Sequence, residues 1–241
     1  MSIFRQWGVV VNRLILECQG FLKDFGYTYA FCGGYALEMF TNIKKRTHSD
    51  LDITLFDKDR KNIIAYMLNR GWNVYEPIHT SDSLRLITDP YDEGEMNHFY
   101  IWAMKPDCTL IGIDPKHNED TLFNYKILNK EQTRFDFIDI IFNTEKDGTF
   151  ICDDNKNITR ALDEAILYRE AIPYLAPEII LFFIANPAYV ESDYHREKNN
   201  MDWESTPAFL PKESLKWLID ALRIAYPEGN RRLDELIALN E

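Results

Sequence analysis

An α+β fold, a mixed sheet flanked by helices and followed by a C-terminal helical lobe, is what this 241-residue sequence predicts. Three observations lead there. Segments with period-two and period-3.6 apolar spacing mix up to about residue 158, which predicts strands and helices in one layered unit. From residue 159 the patterns read as helical only. The balance of 46% hydrophobic and 27% charged residues, with 10 glycines and 10 prolines, is globular and excludes collagen-like or disordered chains. The expected division is 1–158 for the sheet-bearing domain and 159–241 for the helical lobe.

Val9, Val10, Leu14, Cys18, Phe21 and Leu22 recur at helical spacing, predicting a helix over about 4–24 that Gly26 ends. The aromatic run 27–32 reads as a short buried strand leading into Gly33 and Gly34, and Tyr35 to Phe40 has helix-forming composition. In 49–56, Leu51, Ile53 and Leu55 alternate with Asp50, Asp52 and Thr54, so a strand is expected with both aspartates on one face. Ile63, Ile64, Met67 and Leu68 predict a helix closed by Gly71. Further strands are expected near 73–78, 84–88, 97–104, 109–113 and 135–142. Residues 161–170, the stretch after Pro177 and the stretch after Pro211 read as helices, and the polar run from Glu191 to Glu204 as a loop.

With 27 Lys plus Arg against 39 Asp plus Glu, the net charge is -12. A chain this acidic repels polyanions, so nucleic acid is an unlikely partner, whereas a cationic small molecule is attracted. Cys18, Cys32, Cys108 and Cys152 are scattered without metal-ligand spacing and read as free thiols in a reducing compartment. Charged residues interrupt the first 25 positions, and no apolar run approaches the roughly 20 residues of a membrane span. A cytoplasmic protein, monomer or homodimer, with no membrane partner is expected.

The chemistry concentrates in residues 31–54. Glycines at a strand-to-helix turn let backbone N–H groups approach a phosphate, and the helix that follows adds partial positive charge. Asp50 and Asp52 recur on one strand face about 6 to 7 Å apart, and two such carboxylates repel unless a cation lies between them. Hard oxygen ligands of this kind suit Mg²⁺ bridging to phosphates, which points to phosphoryl or nucleotidyl transfer. Arg46 offers a guanidinium fork to phosphate oxygens. His48 reads equally as a phosphate contact and as a strand-entry residue. In 134–142 Asp136 and Asp139 fall on opposite strand faces; Asp139 is the one turned away from the core when Ile138 and Ile140 face it, and a bulge would reverse this. Glu178, just after Pro177, reads as an acid favourably placed at a helix N-terminus. Trp102 and Trp203 read as core.

This stretch resembles the nucleotidyltransferase-fold antibiotic-modifying enzymes of the aminoglycoside 2''-adenylyltransferase and lincosamide nucleotidyltransferase group. The matching residues are Gly33, Gly34, Tyr35, Ala36 and Leu37, then Arg46, His48, Asp50, Leu51, Asp52 and Ile53. Looser likenesses extend through 97–106, 147–151, 172–183 and 196–203. The resemblance implies a DNA polymerase beta-like nucleotidyltransferase fold and Mg²⁺-dependent transfer of a nucleoside monophosphate, AMP above all, from ATP or another NTP. The acceptor it implies is a hydroxyl of a small molecule, and Lys198 is implied as a further binding residue. Asp50, Asp52 and Asp139 would hold metal and carry catalysis, and Gly33, Gly34, Arg46 and His48 would receive the nucleotide. Ile184 and Asn199 depart from the family pattern, which has Lys and Asp there. The alternatives are a toxin-like transferase acting on tRNA or protein, and a nucleotide-binding homologue without turnover.

Overall fold

The computed structural model describes the chain apart from residues 1–4, 7–8, 11, 45, 79–82, 92–98, 117–120, 154, 188–192 and 241. Its secondary structure is the expected mixture of a large mixed sheet and helices. In chain order the elements are β1 (Arg5–Gln6), β2 (Val9–Val10), α1 (Arg13–Leu22), β3 (Ala30–Phe31), α2 (Gly33–Thr41), β4 (Asp52–Phe56), α3 (Arg60–Leu68), β5 (Asn73–Ile78) and β6 (Ser83–Ile87). Next come β7 (Tyr100–Met104), β8 (Ile111–Pro115), β9 (Leu122–Ile127), β10 (Phe137–Lys146), β11 (Thr149–Ile151), β12 (Thr159–Ala161), α4 (Leu162–Ala165), β13 (Ile166–Arg169) and β14 (Ile172–Leu175). The chain closes with α5 (Pro177–Ile184), α6 (Asp193–Ser205), α7 (Lys212–Ala225) and α8 (Arg231–Asn240). These elements form two compact units, one of residues 1–31 and 46–144, the other of residues 32–45 and 145–241.

In the first unit the sheet order is β3-β4-β10-β7-β5-β6-β9-β8. β10 runs parallel to β4, and the other neighbours in this series are antiparallel. Ile53, Ile140 and Ile101 are register partners across β4, β10 and β7, and all are fully buried. Phe142 lies on the same face, and the Arg60 guanidinium at the start of α3 stacks 4.4 Å from its ring, so α3 covers this face. Helix α1 is tied to α3 by the Tyr66 hydroxyl, which donates to the Phe21 carbonyl at 2.5 Å, and by edge-on packing of the two rings. The opposite face carries a second apolar cluster built on Tyr75, Leu84, Met104, Leu110, Ile111 and Phe137.

The opening helix starts later than its spacing suggests, because Arg5–Gln6 and Val9–Val10 pair antiparallel as β1 and β2. Asn12 is the cause: its backbone is extended and its side chain accepts the Leu14 N–H at 2.8 Å, so the helix begins only at Arg13. Gly71 does end α3. It has φ +75°, its N–H donates to Leu68 and the next N–H, of Trp72, reaches back to Met67, the paired bonds of a Schellman cap. A Cβ at Gly71 would meet nothing within 4 Å, so the cost of Gly71→Ala is conformational alone. Thermal unfolding of that variant is expected to show a loss of about 1 kcal/mol.

In the second unit two expectations are corrected. Residues 161–170 hold only one helical turn, α4; β13 follows and pairs antiparallel with β14. The joining residues Glu170 and Ala171 have φ 50° and 65°, the left-handed pair that a two-residue hairpin turn demands. The helical reading failed because the branched and aromatic residues Ile166, Tyr168, Ile172 and Tyr174 find cross-strand partners there. The polar run is not a loop from Asp193 onward but α6, in which no glycine or proline interrupts Asp193–Ser205. Helix α5, with Pro177 in its first turn, and α7 are as expected, and α5 packs on α2 and on α7.

All four cysteines are free; Cys18, Cys32 and Cys152 are buried and Cys108 is half-buried. Burial alone pushes the Cys18 thiol far above its ordinary pKa, so it is expected to resist alkylation in native protein and react only on unfolding. Among the described residues no helix is long and apolar enough to cross a membrane.

Candidate active site

The pleat and the register of the first unit bring two of the three expected carboxylates, Asp52 and Asp139, to neighbouring positions. Strand β4 begins at Asp52 rather than at residue 49, but the ladder reaches one residue further back, since the Asp139 N–H donates to the Leu51 carbonyl at 3.0 Å. Asp50 stands just outside the strand, and its Oδ1 accepts the Ser49 hydroxyl at 2.9 Å. Burial still alternates here: Asp50 and Asp52 are half-buried, whereas Leu51 and Ile53 are buried. Asp139 of β10 is the direct register partner of Asp52 in the parallel pair. Parallel partners point to the same face with backbones about 4.8 Å apart, so these two carboxylates are lateral neighbours.

The same row continues across the sheet, from Asp52 to Asp139, Trp102, Tyr75 and Leu86. Asp52, Asp139 and Trp102 are half-buried, while Ile53, Ile140 and Ile101 behind them are inaccessible. The carboxylates therefore stand on the more open face. Trp102 is half-buried rather than core, with the Tyr125 ring edge-on at 5.1 Å and the Phe137 ring at 5.6 Å.

Asp136 lies elsewhere. It is fully buried, and its Oδ2 accepts the backbone N–H and the hydroxyl of Thr109 at 2.9 and 2.7 Å, with Arg134 Nε 3.8 Å away. That carboxylate ties β10 to the turn before β8. His48 is buried at 4% exposure, and its carbonyl accepts the Gln132 N–H at 3.1 Å. Gln132 Nε2 in turn donates to the Arg134 and Phe137 carbonyls at 2.9 and 2.8 Å. Gln132, itself buried, thus ties the entry to β4 to the entry of β10, the two strands that carry Asp52 and Asp139. Spacing gave no signal for it, because its role exists only once two distant segments meet. Arg46 is half-buried, and its Nη1 donates to the Thr47 carbonyl at 3.1 Å.

Gly33 and Gly34 open α2 in the second unit, and Gly33 has φ +60°. That left-handed backbone explains why glycine stands there. Lys198 and Asn199 are half-buried in α6, as is Ile184 at the end of α5. Trp203 is core, 3% exposed, with the Arg232 guanidinium 4.9 Å above its ring. Glu178 is more than a helix-terminal charge: it is 1% exposed, ion-paired to Arg160 at 2.6 Å, and its Oε1 also accepts the Ser214 hydroxyl at 2.9 Å.

Among the described residues no three His, Cys, Asp or Glu side chains form a ready-made metal cage. A cage is not what Mg²⁺ uses at nucleotide sites, where one or two carboxylates suffice and phosphate oxygens and water complete the octahedron. The half-buried, in-register pair of Asp52 and Asp139, with Asp50 beside it in sequence, fits that donor set.

No family model and no curated protein matches this chain. Solved structures similar to it include three antibiotic-modifying enzyme structures. One is the lincosamide antibiotic adenylyltransferase LnuA with lincomycin bound, at 15% identity and TM-score 0.44, covering 82% of this chain and 99% of that one. The second is the solution structure of the antibiotic-resistance factor ANT(2'')-Ia, at 13% identity and TM-score 0.47, covering 89% and 92%. The third is the crystal structure of ANT(2'')-Ia in complex with adenylyl-2''-tobramycin, at 15% identity and TM-score 0.47, covering 88% and 97%. At such identities and TM-scores the chemistry rests on this chain's own residues.

Proposed function

We propose that the protein is a Mg²⁺-dependent nucleotidyltransferase that moves a nucleoside monophosphate, AMP from ATP first among them, onto a hydroxyl of an aminoglycoside- or lincosamide-like small molecule. The observation that carries the reading is the Asp52–Asp139 register pair on the more open face of the sheet. In this reading Asp50 and Asp52 hold the metal and Asp139 completes its ligand set. Gly33, Gly34, Arg46 and His48 receive the triphosphate, and Lys198 belongs to the substrate lobe, residues 159–241. The bound Mg²⁺ supplies charge neutralisation at the phosphates. The acceptor hydroxyl oxygen forms a bond to the α-phosphorus as the bond to pyrophosphate breaks, and the hydroxyl proton passes to Asp139. A net charge of -12 favours a cationic acceptor.

The test is incubation with Mg²⁺ and labelled NTPs, with tobramycin or lincomycin as acceptor. A labelled nucleotidyl adduct and stoichiometric pyrophosphate are expected from wild type. Absence of nucleotide binding, together with identical behaviour of wild type and Asp52→Ala, would remove the reading.

A further inference from the structure

We infer that Trp102 is a positioning residue for Asp139, its indole N–H donating to the Asp139 carboxylate when that carboxylate engages the metal; the inference rests on the proposed function. The hydrogen bonds from Phe142 to Phe99 and from Lys105 to Asp136 mark residues 142/99 and 136/105 as bonded pairs of the β10–β7 ladder. Antiparallel pairs alternate, so 139/102 belongs to the other class, the narrow pair, with Cα atoms about 4.5 Å apart and side chains at their closest. Asp139 and Trp102 therefore stand side by side on the face that carries Asp52.

The indole nitrogen of Trp102 is buried and makes no hydrogen bond among the described residues. A buried tryptophan N–H ordinarily has a partner, and leaving one unmade costs about 1–3 kcal/mol. The neighbours on this face narrow the choice of acceptor. Phe137 and Ile141, diagonal to Trp102 on β10, are apolar. The one carboxylate directly across the narrow pair is that of Asp139. Its gain is orientation: a metal-binding carboxylate held by a second donor loses fewer rotamers on binding, and removing such a donor typically weakens metal affinity 10- to 100-fold. Tyr125 and Phe137, packed edge-on against the indole, fix the ring so that its N–H has one direction.

The experiment uses Mn²⁺ as an EPR probe together with α,β-methylene-ATP, and the ¹⁵N-indole spectrum of the five tryptophans. Trp102→Phe keeps an aromatic ring but removes the donor, and is expected to weaken Mn²⁺ binding about tenfold; Trp102→His, which restores an N–H, recovers part of the loss. In wild type the Trp102 indole signal moves downfield on adding metal and analogue, and in Asp139→Asn that movement is lost. Unchanged Mn²⁺ affinity in a folded Trp102→Phe, or an indole shift as large in Asp139→Asn as in wild type, overturns the inference and leaves the proposed function standing. The spectral arm needs no Trp102 variant beyond assignment, so it decides even where Trp102→Phe folds poorly. Wild-type protein that takes up no Mn²⁺ with the analogue overturns the nucleotidyltransferase reading, and the inference with it.

Discussion

Asp52→Ala and Asp139→Asn are each expected to abolish the proposed nucleotidyl transfer, with a loss on the order of a thousandfold, while leaving the fold intact. The magnitude follows from removing a preorganised charge at the point where the transition state needs it, an effect of about 3–4 kcal/mol in comparable oxyanion and metal settings. The fold is expected to survive because both side chains are half-buried on the more open face, whereas the apolar ladder behind them, Ile53, Ile140 and Ile101, is untouched. Asp136→Asn should behave in the opposite way. Its carboxylate accepts two bonds from Thr109 inside the protein, so the change weakens stability and spares metal binding. Parallel measurement of Mn²⁺ uptake and thermal unfolding on the three variants separates the roles, and a metal defect confined to Asp136→Asn would reverse the assignment of the third carboxylate.

The largest stability effect is expected in the second unit, at the Arg160–Glu178 pair. The ions are 2.6 Å apart with side chains 10% and 2% exposed, and the Trp217 ring lies 5.2 Å from the guanidinium. Removing one partner of a buried pair strands the other charge, which typically costs about 3–5 kcal/mol. Arg160→Ala is therefore expected to lower Tm by roughly 10 °C. The sharper test is the double variant Arg160→Met with Glu178→Leu, which abandons no charge and is expected to be more stable than either single change. If Arg160→Ala unfolds with wild-type Tm, the pair contributes nothing and Glu178 becomes a candidate for another role.

The fold class was legible because strand and helix periods are strong signals wherever one face is buried: β5, β6, α3, α5 and α7 fall where the alternation places them. The β13–β14 hairpin was illegible, since its strands are four residues long and its turn uses Glu170 and Ala171 in place of the glycine or asparagine that announces such turns. Helix α6 was hidden by its polarity, which imitates a loop. At the candidate site the placing of Asp52 and Asp139 on one sheet face was legible in the strand period, and the left-handed Gly33 in residue type. Gln132 with its His48 partner, Arg160 with Glu178, and the narrow pairing of Trp102 with Asp139 were not, because each depends on a partner many residues away that no local pattern encodes.

The parallel pairing of β4 with β10 has a consequence for how the molecule matures. Its two acids are 87 positions apart (139 − 52), so they become neighbours only after a very long loop has closed. Any fragment ending before Asp139, however well its hairpins form, lacks the pair, and on the proposed reading a nascent chain lacks its metal site until β10 has emerged and docked. On that reading, metal and nucleotide uptake waits on the pairing of β4 with β10 and is a stricter report of the finished sheet than circular dichroism.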